Sequence, residues 1–173
     1  MFVGSSSIRL WKTLKEDFPG RVVVNRGFGG SGVSHAVMYF DRIILPLEPK
    51  RIVFYSGEND IAQNKPPQRV AADFKEFVGL VHRHWPDVKV DYIAMKPSPS
   101  RWHLHERTKE GNRLIEEFTK TDPRLSFINV EPAMLGADGK PREELFVQDK
   151  LHMNEKGYEI WTKLVNERLK EKP

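Results

Sequence analysis

The chain has 173 residues, enough to bury roughly 70% of its unfolded surface without covalent staples, and it reads as one domain spanning residues 1–173. It contains no cysteine, which excludes disulfides, thiolate nucleophiles, iron–sulfur clusters and cysteine-based zinc sites and leaves the redox compartment open. The net charge is +4 and scattered, with no basic patch and no long apolar stretch, which argues against nucleic-acid binding and against a membrane-spanning helix.

In chain order, "FVG" follows Met1 at once and reads as the end of a strand, residues 2–3. The chain thus begins inside its first element: either that strand is short or further residues precede it. No signal-peptide pattern is present. The compartment stays open: cytoplasmic as written, periplasmic or secreted if residues precede Met1. Further apolar runs predict strands at 21–24 ("RVVV"), 51–55 ("RIVFY"), 88–94 ("VKVDYIA") and 125–130 ("LSFINV"). Amphipathic stretches predict helices at 8–17, 33–45, 68–85, 106–121 and 154–170. Asn154 is a good N-cap for the last of these and Gly157 a weak point inside it. "KPSPSRW" (96–102) is a loop within this alternation, not a linker. Alternating strands and helices predict right-handed βαβ units and a parallel sheet covered on both faces. "RIVFY" and "YIA" are nearly all apolar, as doubly buried strands should be.

In such sheets ligands lie beyond the carboxyl ends of the strands. The loops there read "GSSS", "NRGFGGSG", "SGENDIAQN", "MKPSPSRW" and, late in the chain, "VQDKLH". Each fits a bland role as well as a chemical one. The serines of Gly4-Ser5-Ser6-Ser7 suit a helix N-cap. One of them also suits a nucleophile at a strand-to-helix turn, if a base is near. In Asp149-Lys150-Leu151-His152 the acid can face the imidazole Nδ1–H and leave Nε2 free to accept a proton, or the segment is a surface loop. Gly57-Glu58-Asn59-Asp60 suits a turn, and Asn59 equally offers an amide N–H to an oxyanion. "GFGGSG" (27–32) satisfies G-x-G-x-x-G, but a dinucleotide site wants an acid ending the next strand, and Glu48 precedes "RIVFY". His82/His84 and His103/His105 are i, i+2 pairs that diverge on a helix and read as surface residues.

Taken together and in this order, the motifs resemble the SGNH (GDSL-type) hydrolase superfamily. "FVGSSSIRLW" resembles its first block, "NRGFGGS" its second, "GEND" its third (G-x-N-D) and "DKLH" its last (D-x-x-H). The likeness is strongest to a bacterial-looking subgroup with "GSSSIR-x-W" and a Pro-Ser-Pro loop. The resemblance implies a three-layer α/β/α sandwich with a flavodoxin-like five-stranded parallel sheet, order 2-1-3-4-5. It implies Ser6 as nucleophile, His152 as base and Asp149 as its orienter. The oxyanion hole would be formed by Ser6 and Gly30 amides and the Asn59 side chain. It implies no metal and no cofactor.

Ser5 stands where the family usually has aspartate, and its hydroxyl is expected to cap the helix. The central first strand, at three or four residues, is expected to leave its neighbours' ladder groups unpaired unless another segment fills the gap. The expected activity is a serine esterase for short-chain carboxylic esters. The alternatives are a carbohydrate O-acetyl esterase, a lysophospholipase, or an idle ligand-binding module. Arg9, Phe28, Ile61, Arg101 and Met153 flank the motifs as candidate pocket residues. The partner is a small ester; the oligomeric state is open, a dimer among the options.

Overall fold

The computed structural model describes residues 1–170. Five short strands lie in one parallel sheet: β1 (Phe2–Gly4), β2 (Asn25–Gly27), β3 (Arg51–Tyr55), β4 (Lys89–Ile93) and β5 (Leu125–Ile128). The spatial order is β2-β1-β3-β4-β5. Alternate side chains enter two separate apolar layers, as the period of a strand requires. Val3, Ile52, Phe54, Val90 and Tyr92 face one layer; Phe2, Val53, Tyr55, Ile93 and Ile128 face the other.

The first layer is closed by α2 (Val33–Met38), α3 (Phe40–Ile43), α5 (Pro67–His84) and α6 (His105–Thr119), with Phe74 and Phe77 of α5 packed on Phe54. The second is closed by α1 (Ser6–Arg9), α7 (Glu131–Met134) and α8 (Glu155–Lys170), where Tyr158 and Trp161 pack tilted and edge-to-face against Trp11. A short α4 (Glu58–Ala62) follows β3. No helix among the described residues is long and apolar enough to cross a membrane.

Several expected elements are corrected. The second strand lies at Asn25–Gly27, not 21–24: pairing begins where Phe2 N–H donates to the Val24 carbonyl at 2.8 Å, while Val22 is 95% exposed. Of the valines of "RVVV", Val22 and Val23 therefore precede the strand, and Val24 meets it only through its carbonyl. The helix expected at 8–17 stops at Arg9. The Trp11 indole N–H and the Thr13 hydroxyl both donate to the Asp17 carboxylate, at 2.6 and 2.9 Å, and this side-chain bonding accompanies turns in place of further helix. The helix at 33–45 breaks at Tyr39 into α2 and α3, followed by a 3-10 turn at Leu45–Leu47.

Gly157 is not a weak point: a Cβ there would sit 2.7 Å from the Leu145 carbonyl, so the glycine lets α8 dock closely. Asn154 accepts the Gly157 N–H at 3.3 Å, as an N-cap does. The short central strand leaves no gap beside β3, because Val53 N–H donates to Met1 O and the Met1 amine donates to Arg51 O, both at 2.9 Å.

Candidate active site

The carboxyl ends of β1 and β3 and the loop before α8 converge at one end of the sheet. Ser6 is the first residue of α1, where a backbone N–H has no carbonyl four residues earlier within the helix. Its Oγ lies 2.9 Å from His152 Nε2. His152 Nδ1 lies 2.6 Å from Asp149 Oδ2, and Asp149 Oδ1 accepts the Leu151 and His152 amides, each at 2.9 Å. Lys150 takes a left-handed conformation (φ 54°) that closes this turn. Burial alone would push the Asp149 carboxyl up, but the bonds from His152 and the two amides more than offset it and hold it at about 2. A carboxylate can only accept, so in the neutral imidazole Nδ1 carries the proton and Nε2 faces Ser6 as an acceptor. Tyr158 OH donates to the Ser7 carbonyl at 2.8 Å, joining α8 to α1.

Across from this line lies the loop of residues 27–32. Gly30 has φ 74°, and no atom comes within 4 Å of where a Cβ would be, so it borders open space. Asn59, in α4, donates through Nδ2 to the Ser31 carbonyl at 3.0 Å. Its Oδ1 accepts from Arg101 Nη2 at 2.9 Å. The neighbouring Asp60 accepts the Val33 amide at 2.9 Å, which ties the 57–60 turn to the start of α2.

The expected Ser5 cap is not formed. Ser5 is buried and extended, its side chain makes no capping bond, and its carbonyl takes the Ile8 and Arg9 amides at 3.1 Å. With four residues, α1 contributes free amides and no long aligned dipole.

The candidate pocket residues divide. Ile61 is buried in the core, where α4 turns its apolar face inward. Arg9 lies over Gly29, its Nε 3.1 Å from where a Cβ would project. Phe28 lines a separate cleft of about 430 Å³ with Tyr39 and Arg42 beside the edge strand β2. Met153 lines a groove of about 1050 Å³ that leads away from His152 between Leu10, Thr13 and Tyr158. This larger groove meets the site only on its Asp149–His152 side. Two of the four histidines expected at the surface are half-buried: His82 Nε2 is 3.0 Å from the Val88 carbonyl, and His105 stacks on Trp102 at 4.0 Å with Glu131 at 3.4 Å.

One feature that the sequence reading does not reach is a buried polar cluster behind Asn59, built from Tyr55, Glu58, Lys96 and Ser98 and met by the half-buried Arg101. Its signal was available in two charged loops, "GEND" and "MKPSPSR", directly after the adjacent apolar strands β3 and β4.

The sequence matches the model of the GDSL-like Lipase/Acylhydrolase family over residues 4–160. A search of curated proteins returns no match. Solved structures with a similar fold include a GDSL-like lipase from Bacteroides thetaiotaomicron (21% identity, TM-score 0.80, covering 97% of this chain and 85% of that one). A carbohydrate esterase family 3 protein from Talaromyces cellulolyticus is also similar (14%, TM-score 0.75, 98% and 94%). So is the C-terminal domain of the Drosophila Oskar protein (18%, TM-score 0.78, 98% and 87%). With its four motif blocks inside the matched residues and its sheet in the order 2-1-3-4-5, the chain belongs to the GDSL-like lipase/acylhydrolase family.

Proposed function

We propose that the protein is a serine esterase that hydrolyses carboxylic esters with short acyl groups through an acyl-enzyme. The observation that carries this reading is the unbroken line from Ser6 Oγ to His152 Nε2 (2.9 Å) and from His152 Nδ1 to Asp149 (2.6 Å). Ser6 Oγ attacks the ester carbonyl carbon as its proton passes to His152 Nε2. Asp149 stabilises the imidazolium that results. The tetrahedral oxyanion meets the Ser6 and Gly30 amides and the second N–H of Asn59 Nδ2. The carbon–oxygen bond to the alcohol then breaks, and the alcohol leaves with the proton from His152. Water attacks the acyl carbon, giving its proton to His152, which returns it to Ser6 as the acid departs.

A water-soluble alcohol half is supported by the open side of the site. His152 and Asp149 side chains are 27% and 47% exposed, and the large groove opens on their side, where the alcohol departs. An open alcohol side suits a water-soluble ester, acetylated carbohydrate included.

The test is hydrolysis of p-nitrophenyl esters of increasing chain length and of acetylated sugars, with and without a fluorophosphonate that traps reactive serines. Acetyl esters should turn over fastest, and one equivalent of reagent should label Ser6 and stop hydrolysis. Ser6→Ala should lose turnover, whereas Ser5→Ala should keep it. Hydrolysis that survives complete labelling of Ser6 would overturn the assignment. Absence of both labelling and turnover would indicate an idle binding module, and a preference for long acyl chains a lysophospholipase.

A further inference from the structure

Behind Asn59 the loops after β3 and β4 form a charged cluster that the reaction does not touch. Glu58 is buried, with Lys96 Nζ 2.6 Å from Oε2 and the Ser98 hydroxyl donating to Oε1 at 3.2 Å. The Tyr55 hydroxyl donates to the same carboxylate. Lys96 is itself almost wholly buried, its side chain 1% exposed. Burial would favour a neutral Glu58, but the charges of Lys96 and Arg101 more than offset it and keep the carboxyl below its ordinary range. One guanidinium nitrogen of Arg101, Nη1, lies 3.8 Å from Glu58 Oε1, while the other, Nη2, donates to Asn59 Oδ1 at 2.9 Å.

We infer, resting on the esterase reading, that Arg101 is a positioning residue that sets the orientation of the Asn59 amide at the oxyanion site. A carboxamide rotates about a broad, roughly two-fold torsion, so its oxygen and nitrogen exchange places at little cost. A guanidinium only donates, so it admits only the carbonyl end of Asn59. The amide nitrogen is thereby turned toward the Ser31 carbonyl and the open side of the loop, with its second N–H left for the oxyanion. With the amide reversed, Oδ1 would face the developing negative charge. The guanidinium charge held against Oδ1 also polarises the amide and strengthens its N–H as a donor. Glu58, anchored by Lys96, fixes the far side of the guanidinium, so the cluster reaches the reaction only through Asn59. Arg101 is also partly exposed, which makes direct contact with substrate the rival explanation.

The experiment is steady-state kinetics with p-nitrophenyl acetate on the full chain and its variants Arg101→Met, Arg101→Lys, Asn59→Ala and Asn59→Ala/Arg101→Met. Arg101→Met should lower kcat on the order of 10- to 100-fold, less than complete loss of an oxyanion donor, with KM nearly unchanged. Arg101→Lys should recover part of the loss. Adding Arg101→Met to Asn59→Ala should change kcat by less than about twofold, because the group it acts through is already gone. An equal loss in both backgrounds, or a loss confined to KM, would overturn the inference in favour of substrate contact. A second readout does not depend on turnover: the side-chain amide signals of Asn59 in nitrogen-15 spectra, assigned by their loss in Asn59→Ala, should move in Arg101→Met. Unmoved signals would overturn the contact. A wild-type protein with no turnover and no Ser6 labelling would overturn the esterase reading instead, while the amide signals would still decide the Arg101 contact.

Discussion

Gly4 closes β1 at φ 150°, and a Cβ there would sit 1.8 Å from the Tyr55 carbonyl oxygen, which accepts the Ser5 amide at 3.0 Å. That close approach sets the corner from which Ser6 projects. Gly4→Ala is expected to destabilise the fold by about 2–4 kcal/mol, from backbone strain and displacement of β3, and to lower kcat with it. Urea unfolding and esterase assays on the same preparation check this. Asn59→Ala should be the opposite case: kcat lower on the order of 10²- to 10³-fold, KM little changed, and the overall fold kept. At this scale short motifs are enough to name candidate reactive residues, because a nucleophile, an imidazole and an oxyanion donor each demand a particular residue type. They do not give the role of Ser5, since a hydroxyl bonds a helix amide only if backbone and rotamer allow, and here its carbonyl takes the amides.

Among the elements, the long amphipathic segments were readable because their apolar period alone selects a helix. Residues 68–85 become Pro67–His84, 106–121 become His105–Thr119, and 154–170 become Glu155–Lys170. The short elements departed where side chains bond locally, as at Asp17, or where the backbone leaves helical geometry, as at Tyr39 (φ -100°, ψ 14°). The charged loops after β3 and β4 mark the region, but not the pairing itself, since Glu58 and Lys96 lie 38 residues apart and only neighbouring strands bring them together. Lys96→Met would leave Glu58 buried without its nearest cation, with only Arg101 at 3.8 Å, and is expected to cost about 3–5 kcal/mol of stability. Combining it with Glu58→Gln should recover most of that loss, as measured by the urea midpoint. If Lys96→Met alone is neutral, the pair does not hold the two loops together.

For the whole molecule, stability in acid follows from the carboxylates that folding keeps ionised. Asp149 falls from 3.8 to about 2 on folding. A group with a depressed folded value contributes stability that is complete above its unfolded value and is lost as pH falls through the folded one. The stability difference between wild type and Asp149→Asn should therefore shrink steadily as pH falls from 3.8 to about 2. Urea midpoints of both proteins across that range check the sign. A difference that grows as pH falls would contradict it. The sequence by itself determined the alternation, the doubly buried strands and the residue types able to do chemistry, because periodicity and side-chain chemistry are local properties. Only the tertiary structure decided that Ser6 and His152 meet across 146 positions, that β2 lies at Asn25–Gly27, and that Arg101 turns toward Asn59. Those contacts depend on strand order, register and the packing of distant loops, which no single stretch of chain encodes.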